Sequence, residues 1–368
     1  MQVNSLTLKS IVTPIIQGSI RGQGGSKKYI FIIMETDKGI GISEIYSGTY
    51  YYKLIFEVLE LIKPRILGKS ISKEDISLNF LHQPFISGSG IVEVINSAIY
   101  NCFKWIELNH SYTKQIYANL IPYLSGGTVS SSLEDLDKEI TYSKENSFNF
   151  IKVRIDYRDK KKSLKKIDFL DMANVNYAVD IIANTNFLDI NEFRIQDYFS
   201  ESNSEKIIWI EEPFFPTNPL NWNETISQCR NLNLRIALGE SLTSILELDF
   251  ICKSSDIDIV QLDSTHCSDI NRLTHLINCN IGQKKLWGIH NWGSLFGAYQ
   301  NFLMIKNIEC DFYWEVPFYK TLFDEEFSEI IDVRNIHILN ENPNNTLDKI
   351  NKLIIEYPSR EYKDFNWT

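Results

Sequence analysis

From about residue 116 onward, short apolar runs of strand character alternate with helical segments, and the runs end on charged or amide side chains. The runs are 117–123, 149–155, 178–183, 206–210, 234–238, 257–262, 285–289 and 311–315. Strands that alternate with helices pair in parallel, because each parallel pairing needs a crossover connection. Eight such units in succession predict a β/α barrel, a fold of roughly 250 residues. The chain has 368 residues, which leaves room for a smaller unit of about 100 residues beside it.

That smaller unit reads as α+β over residues 1–115. Residues 3–12 and 28–36 are strand-like, and Asp37-Lys38-Gly39 turns the chain into a third strand, Ile40 to Ile45. Residues 28–45 are therefore a hairpin. Two apolar stripes at helical spacing follow. The first is Leu54, Val58, Leu61 and Ile62, ahead of Pro64; the second is Val94, Ile95, Ala98, Ile99, Cys102, Phe103 and Ile106. The barrel is expected over 116–320, and 321–368 as a C-terminal segment packing back on the first unit.

Composition removes several function classes. A net charge of −10 with no dense basic patch argues against a nucleic-acid partner. The one basic run, Lys160 to Lys166, reads as a solvated helix face. No apolar run is long enough to span a bilayer, and the start, MQVNSLTLKSIVTP, has no basic stretch leading into an apolar one. A cytoplasmic protein without a membrane partner is expected. Six scattered cysteines with no CxxC pair read as free thiols.

Chemistry in a β/α barrel sits at the C-terminal ends of the strands. FIKVRID places Lys152 and Arg154 two apart on the second strand, both toward the barrel interior. The third strand ends with Asn184, the fourth with Glu211 and Glu212, the fifth with Glu240. The sixth ends with Asp263, the seventh with His290 and the eighth with Glu315. From Asn184 to Glu315 these residues recur roughly every 23 to 29 positions, close to the length of one β/α unit. Seven strands in register, each offering a metal-type ligand, an acid/base or a cation, read as one site. The other histidines read as structural, with His266 near enough to the sixth strand end to reach the pocket.

KVR, the IEEP stretch, LGES, VQLD and the HNWGS segment, with Glu315 closing the barrel, resemble the enolase superfamily in its mandelate racemase-like subgroup. TDKGIGISEIYSG at 36–48 resembles that family's capping domain, and YLSGG at 123–127 its first barrel strand. The resemblance implies a modified (β/α)8 barrel with an N-terminal α+β capping domain. It also implies Mg2+ on three strand-end oxygen ligands, placed by position at Asn184, Glu211 and Glu240. Asp180 is the alternative on the third strand, set aside because it falls inside the expected strand. Glu212 is expected to support the site rather than bind metal.

The resemblance further implies His290 as general base with Asp263 behind it, and Lys152 on the substrate carboxylate. Glu315 is expected beside the enolate oxygens, able to donate if protonated. Arg154 stands where many relatives have a lysine base; a guanidinium is effectively always protonated and so a poor base. Substrate contacts are expected from Arg21 and Tyr46 in the loops 17–29 and 45–51, and from Asn186. The expected activity is magnesium-dependent removal of the proton next to a carboxylate, dehydrating a sugar acid to a 2-keto-3-deoxy acid. Racemisation or epimerisation through the same intermediate is the alternative, and a non-catalytic ligand-binding descendant the second. The partner is a small-molecule carboxylate, and relatives of this kind assemble as homo-oligomers.

Overall fold

The structure, a computed structural model, describes residues 1–18, 25–46, 52–71, 90–110, 117–126, 131–181, 194–200, 204–214, 222–330 and 343–358. The first three strands, β1 (Val3–Gln17), β2 (Ser26–Thr36) and β3 (Gly39–Ile45), form an antiparallel sheet. β2 is apolar almost throughout because both of its faces are buried. Ile30, Ile32 and Met34 pack under the helices Tyr52–Ile66 and Ile91–His110, while Tyr29, Phe31 and Ile33 turn toward the barrel's core. Alternation along a strand makes this two-sided use of one sequence possible.

The barrel strands are β4 (Asn119–Ser125), β5 (Ile151–Arg154), β6 (Tyr177–Asp180), β7 (Ile207–Glu211), β8 (Ile236–Leu238), β9 (Ile259–Leu262), β10 (Leu286–Ile289) and β11 (Asp311–Pro317). They close in the order β10-β11-β4-β5-β6-β7-β8-β9, every pair parallel. The fold is thus the expected capped barrel, and each of the eight strand-like runs contains or overlaps a strand. The barrel floor is filled by aromatic rings. Tyr123 stacks on Phe150 at 4.7 Å between centroids, and Trp209 stands edge-on to both at 5.3 and 4.9 Å. With Ala178, Ala237 and Ile259 they make a dry plug beneath the strand ends.

Past the barrel, β12 (Lys320–Thr321) pairs with β1 and extends the cap sheet, and Thr321 caps the helix Leu322–Ser328. The helix Pro343–Glu356 lies on the cap side, where the Lys9 ammonium donates to the Ile355 carbonyl at 2.5 Å and Trp105 Nε1 donates to Asn351 Oδ1 at 2.9 Å. No described helix is long and apolar enough to cross a membrane. None of the six cysteines is in a disulfide.

Three local readings are corrected. The helix Tyr52–Ile66 buries Ile55, Leu59, Ile62 and Ile66, while Leu54 and Leu61 are exposed, and it continues past Pro64. Apolar residues occupy two sides of this helix, and the sheet beneath selects the side. Lys166, in the helix Lys160–Met172, is buried with its ammonium 3.4 Å from the Arg154 carbonyl, so the basic run is not solvated throughout. The third barrel strand stops at Asp180 rather than continuing through the apolar residue Ile181, which places Asp180 at a strand end.

Gly41 marks the tightest packing in the cap. A Cβ there would lie 2.3 Å from the Cys102 carbonyl oxygen in the helix Ile91–His110, whereas Gly282 has open space around it. Gly41→Ala is expected to lower the unfolding free energy by about 2 kcal/mol in urea titration, with Gly282→Ala changing it by less than about 0.5 kcal/mol. Equal effects at the two positions would show that β3 and the helix separate at no cost.

Candidate metal centre and active site

Strand register brings the charged residues together. Arg154 lies beside Asp180, and Asp180 beside Glu211, across β5, β6 and β7. Oxygen atoms of Asp180, Glu211 and Glu240 fall within 4.8 Å of one another. The Lys152 ammonium sits among them, fully buried. It is 2.5 Å from Glu211 Oε1, 2.9 Å from Glu315 Oε1, 3.6 Å from Glu240 Oε2 and 3.9 Å from Asp180 Oδ2. Burial alone would lower its pKa, but Glu211 and Glu315 outweigh that and hold it well above its ordinary value. Trp209, part of the floor, donates its indole N–H to Glu211 Oε2 at 2.9 Å.

The second element is a histidine–carboxylate dyad. His290 follows β10 and Asp263 follows β9, and His290 Nδ1 meets Asp263 Oδ2 at 2.8 Å. Burial opposes ionisation of Asp263, but the imidazole and Thr265 hold its carboxyl below the ordinary range. It is therefore an acceptor, Nδ1 carries the hydrogen, and Nε2 faces Glu240 Oε2 at 3.7 Å. Burial would lower the His290 pKa, but Glu240, Asp263 and Glu315 raise it to about 9.

Residues that sequence reasoning missed hold this dyad. Asn301, inside the wholly buried helix Leu295–Ile305, directs its amide hydrogens at Asp263 Oδ1 (3.1 Å), the His290 carbonyl (3.1 Å) and Asn291 Oδ1 (3.0 Å). Its neighbour Gln300 accepts from the Glu44 backbone N–H at 3.2 Å and donates to the Ser264 carbonyl at 3.2 Å. Glu44, on the cap strand β3, accepts from the Ser294 N–H at 3.0 Å and from the Ser294 hydroxyl. A Cβ at Gly293 or Gly297 would come within 2.7 Å of the Glu44 carboxylate. An i, i+1 amide pair within an apolar helix was the available signal.

The remaining expected residues divide. Glu212 turns away from the triad: it accepts from the Gly239 N–H and the Ser241 hydroxyl, both at 3.0 Å. Arg154 pairs with Asp180, donates to the Gly126 carbonyl and covers the Trp292 ring. Glu315 accepts from the Asn291 N–H at 2.9 Å, and despite burial Lys152, His290 and Arg154 hold its pKa down to about 2. In this arrangement it accepts rather than donates. Tyr46 stands edge-on to His290 and His266, with centroids 5.4 and 5.6 Å away. Arg21, Asn184 and Asn186 lie outside the described residues. On the third strand, the residue that joins the triad is Asp180, the alternative set aside above.

These residues fit a hard divalent cation. Asp180, Glu211, Glu240 and Glu315 are four carboxylates around the single Lys152 ammonium, with the Arg154 guanidinium beside Asp180. Burial, opposed by Lys152 and reinforced by Glu240, pushes the Glu211 pKa up. Buried Glu240 Oε2 has no hydrogen-bond partner among the described residues. A cation among Asp180, Glu211 and Glu240 would satisfy that oxygen and relieve the repulsion, and all-oxygen donors suit magnesium.

The family described as enolase C-terminal domain-like matches residues 145–341. No curated protein matches the chain. Among solved structures, a racemase from Streptomyces coelicolor A3(2) with bound magnesium is similar at 14% identity and TM-score 0.69, over 85% of this chain and 89% of that one. The 3,6-anhydro-D-galactonate cycloisomerase from Zobellia galactanivorans is similar at 16% identity and TM-score 0.66, over 86% and 87%. A candidate dehydratase from Mesorhizobium loti is similar at 14% identity and TM-score 0.69, over 86% and 87%. At these identities the likeness is one of fold.

Asp180→Asn removes one charge from the triad and is expected to weaken magnesium binding at least about tenfold by calorimetry. Glu212→Gln, directed at Gly239 and Ser241, is expected to change it less than about threefold. The reverse order of effects would exchange the two residues' roles.

Proposed function

We propose that this chain, which belongs to the enolase C-terminal domain-like family, is an acid-sugar dehydratase that forms a 2-keto-3-deoxy acid and water. The chemistry of the superfamily is magnesium-dependent formation of an enediolate from a carboxylate substrate. Asp180, Glu211 and Glu240 would hold the metal. When bound, magnesium supplies positive charge where negative charge develops on the substrate carboxylate.

In its neutral form His290 takes the proton next to the carboxylate through Nε2, the nitrogen left available by the Asp263 contact at 2.8 Å; a cation held by Glu240, which faces Nε2 at 3.7 Å, would favour that form. Asp263 stabilises the imidazolium so formed, and Asn301 keeps Asp263 in line. Lys152 stays charged and offers its ammonium to the substrate's carboxylate oxygens, with Glu315 holding that ammonium in place. The imidazolium of His290 then returns its proton to the departing hydroxyl on the next carbon.

The observation that carries this reading is the engagement of Arg154. Its guanidinium is held above its ordinary pKa, against the effect of burial, by Asp180 and the neighbouring carboxylates, and it is bound to Asp180 and Gly126. It makes a poor second base, so one-sided chemistry on His290 fits better than exchange on both faces. Racemisation through the same intermediate is the second reading. The similarity to a racemase belongs with that reading.

His290→Asn is expected to reduce turnover by about a thousandfold, and Asp263→Asn by about a hundredfold, with magnesium binding retained in both. Proton NMR in deuterated water, with magnesium and sugar acids differing at the carbon next to the carboxylate, decides between the readings. Keto-acid formation from one configuration is expected; deuterium incorporation with the opposite epimer and no keto acid would sink the dehydratase.

A further inference from the structure

The Arg154 guanidinium is committed on three sides. Nε lies 3.0 Å from Asp180 Oδ2, Nη1 donates to the Gly126 carbonyl at 2.7 Å, and the guanidinium carbon sits 4.1 Å from the Trp292 ring centroid. Trp292 is anchored in turn. The Lys27 ammonium, from the cap strand β2, and the Tyr319 hydroxyl each donate to the Trp292 carbonyl at 2.8 Å. The Lys27 ammonium also lies 5.8 Å from the Trp292 ring centroid. A guanidinium so placed remains charged across the ordinary pH range, so it cannot leave the site by losing a proton as a lysine could.

Resting on the reading that Asp180, Glu211 and Glu240 hold magnesium, we propose that Arg154 is a resident counter-ion of that site. It compensates Asp180 in the metal-free protein and, by repelling a second cation, lowers the affinity for magnesium. Arg154 is a positioning and charge-setting residue, not a catalytic one.

Two effects of the guanidinium oppose each other. By orienting the Asp180 carboxylate it favours metal binding, which is worth a factor of about ten to a hundred for one charge-assisted hydrogen bond. By repelling a divalent ion that the same carboxylates would hold, it disfavours binding by about a thousandfold or more at an intermediate dielectric. Repulsion therefore dominates. The same charge stabilises the metal-free fold, because a buried carboxylate that loses one of its paired cations destabilises. Metal affinity and metal-free stability should thus move in opposite directions, a pairing that a purely orienting residue does not produce.

The test is calorimetric titration of magnesium into the metal-free full-length protein, with thermal unfolding in chelator. Arg154→Gln is expected to bind magnesium about tenfold tighter or more while melting several degrees lower without metal. Unchanged or weaker binding in Arg154→Gln overturns the proposal. Should that variant not fold, Arg154→Lys decides: it keeps the charge and is expected within about threefold of the parent, and a change beyond about tenfold in either direction overturns the proposal. Absence of a magnesium signal in the parent is a different failure, one that overturns the metal assignment itself and the counter-ion role with it.

Discussion

Buried negative charge is the constraint on which the site depends. Asp180, Glu211, Glu240 and Glu315 converge on one ammonium, Lys152, above a floor of Tyr123, Phe150 and Trp209. An apolar floor keeps water out, so each unmatched charge there is expensive. The barrel meets this through register. The pairing that closes β5, β6 and β7 also sets Arg154, Asp180 and Glu211 side by side. Trp209 serves both requirements, filling the floor with its ring and donating its N–H to Glu211. The arrangement remains over-supplied with carboxylates, and a divalent cation brings it nearer balance.

The cap contributes more than a roof. The helix Leu295–Ile305 is buried from Phe296 to Ile305, with Phe296 against Phe31 and Trp105 of the cap and Asn301 on Asp263 of the barrel. Its two amides, Gln300 and Asn301, would be costly in that position without partners. Gln300 reaches the cap at Ser43 and Glu44, while Asn301 reaches Asp263 and the His290 backbone. Glu44 seals the same junction from the other side, packed where Gly293 and Gly297 have no side chain. The dyad is therefore held by contacts that span the cap and the barrel together.

Much of this was legible in the sequence, for a physical reason. Glu211, Glu240, Asp263, His290 and Glu315 each end or closely follow a short apolar run, and in a parallel barrel such positions share one rim. Asp180 is harder to read by the same logic. Ile181 and Ile182 prolong the apolar run, so the pattern carries the strand past Asp180, where it ends, toward Asn184. Periodicity also failed for the helix Tyr52–Ile66, where two apolar faces compete and only the packed sheet selects Ile55, Leu59 and Ile62. Glu44, Lys27 and Trp292 could not be read because their partners are distant in the chain: Glu44 and Ser294 are 250 residues apart. No local pattern encodes a contact of that range.

On the proposed reading, one residue shapes both halves of the chemistry. A lysine on the far side of the substrate could be lowered in pKa and exchange a proton; a guanidinium stays charged. Fixed by Asp180, Gly126 and Trp292, Arg154 leaves His290 as the proton carrier on one face and adds permanent positive charge beside a metal ligand. Restricting the proton chemistry and moderating the metal site are then two consequences of the same cation. Its placement follows from β-strand geometry: Lys152 and Arg154 are two apart on β5, so both must point inward, one into the carboxylate cluster and the other to its edge. A scaffold of this kind can keep its first step, proton removal next to a carboxylate, while the residue at that edge directs what becomes of the intermediate.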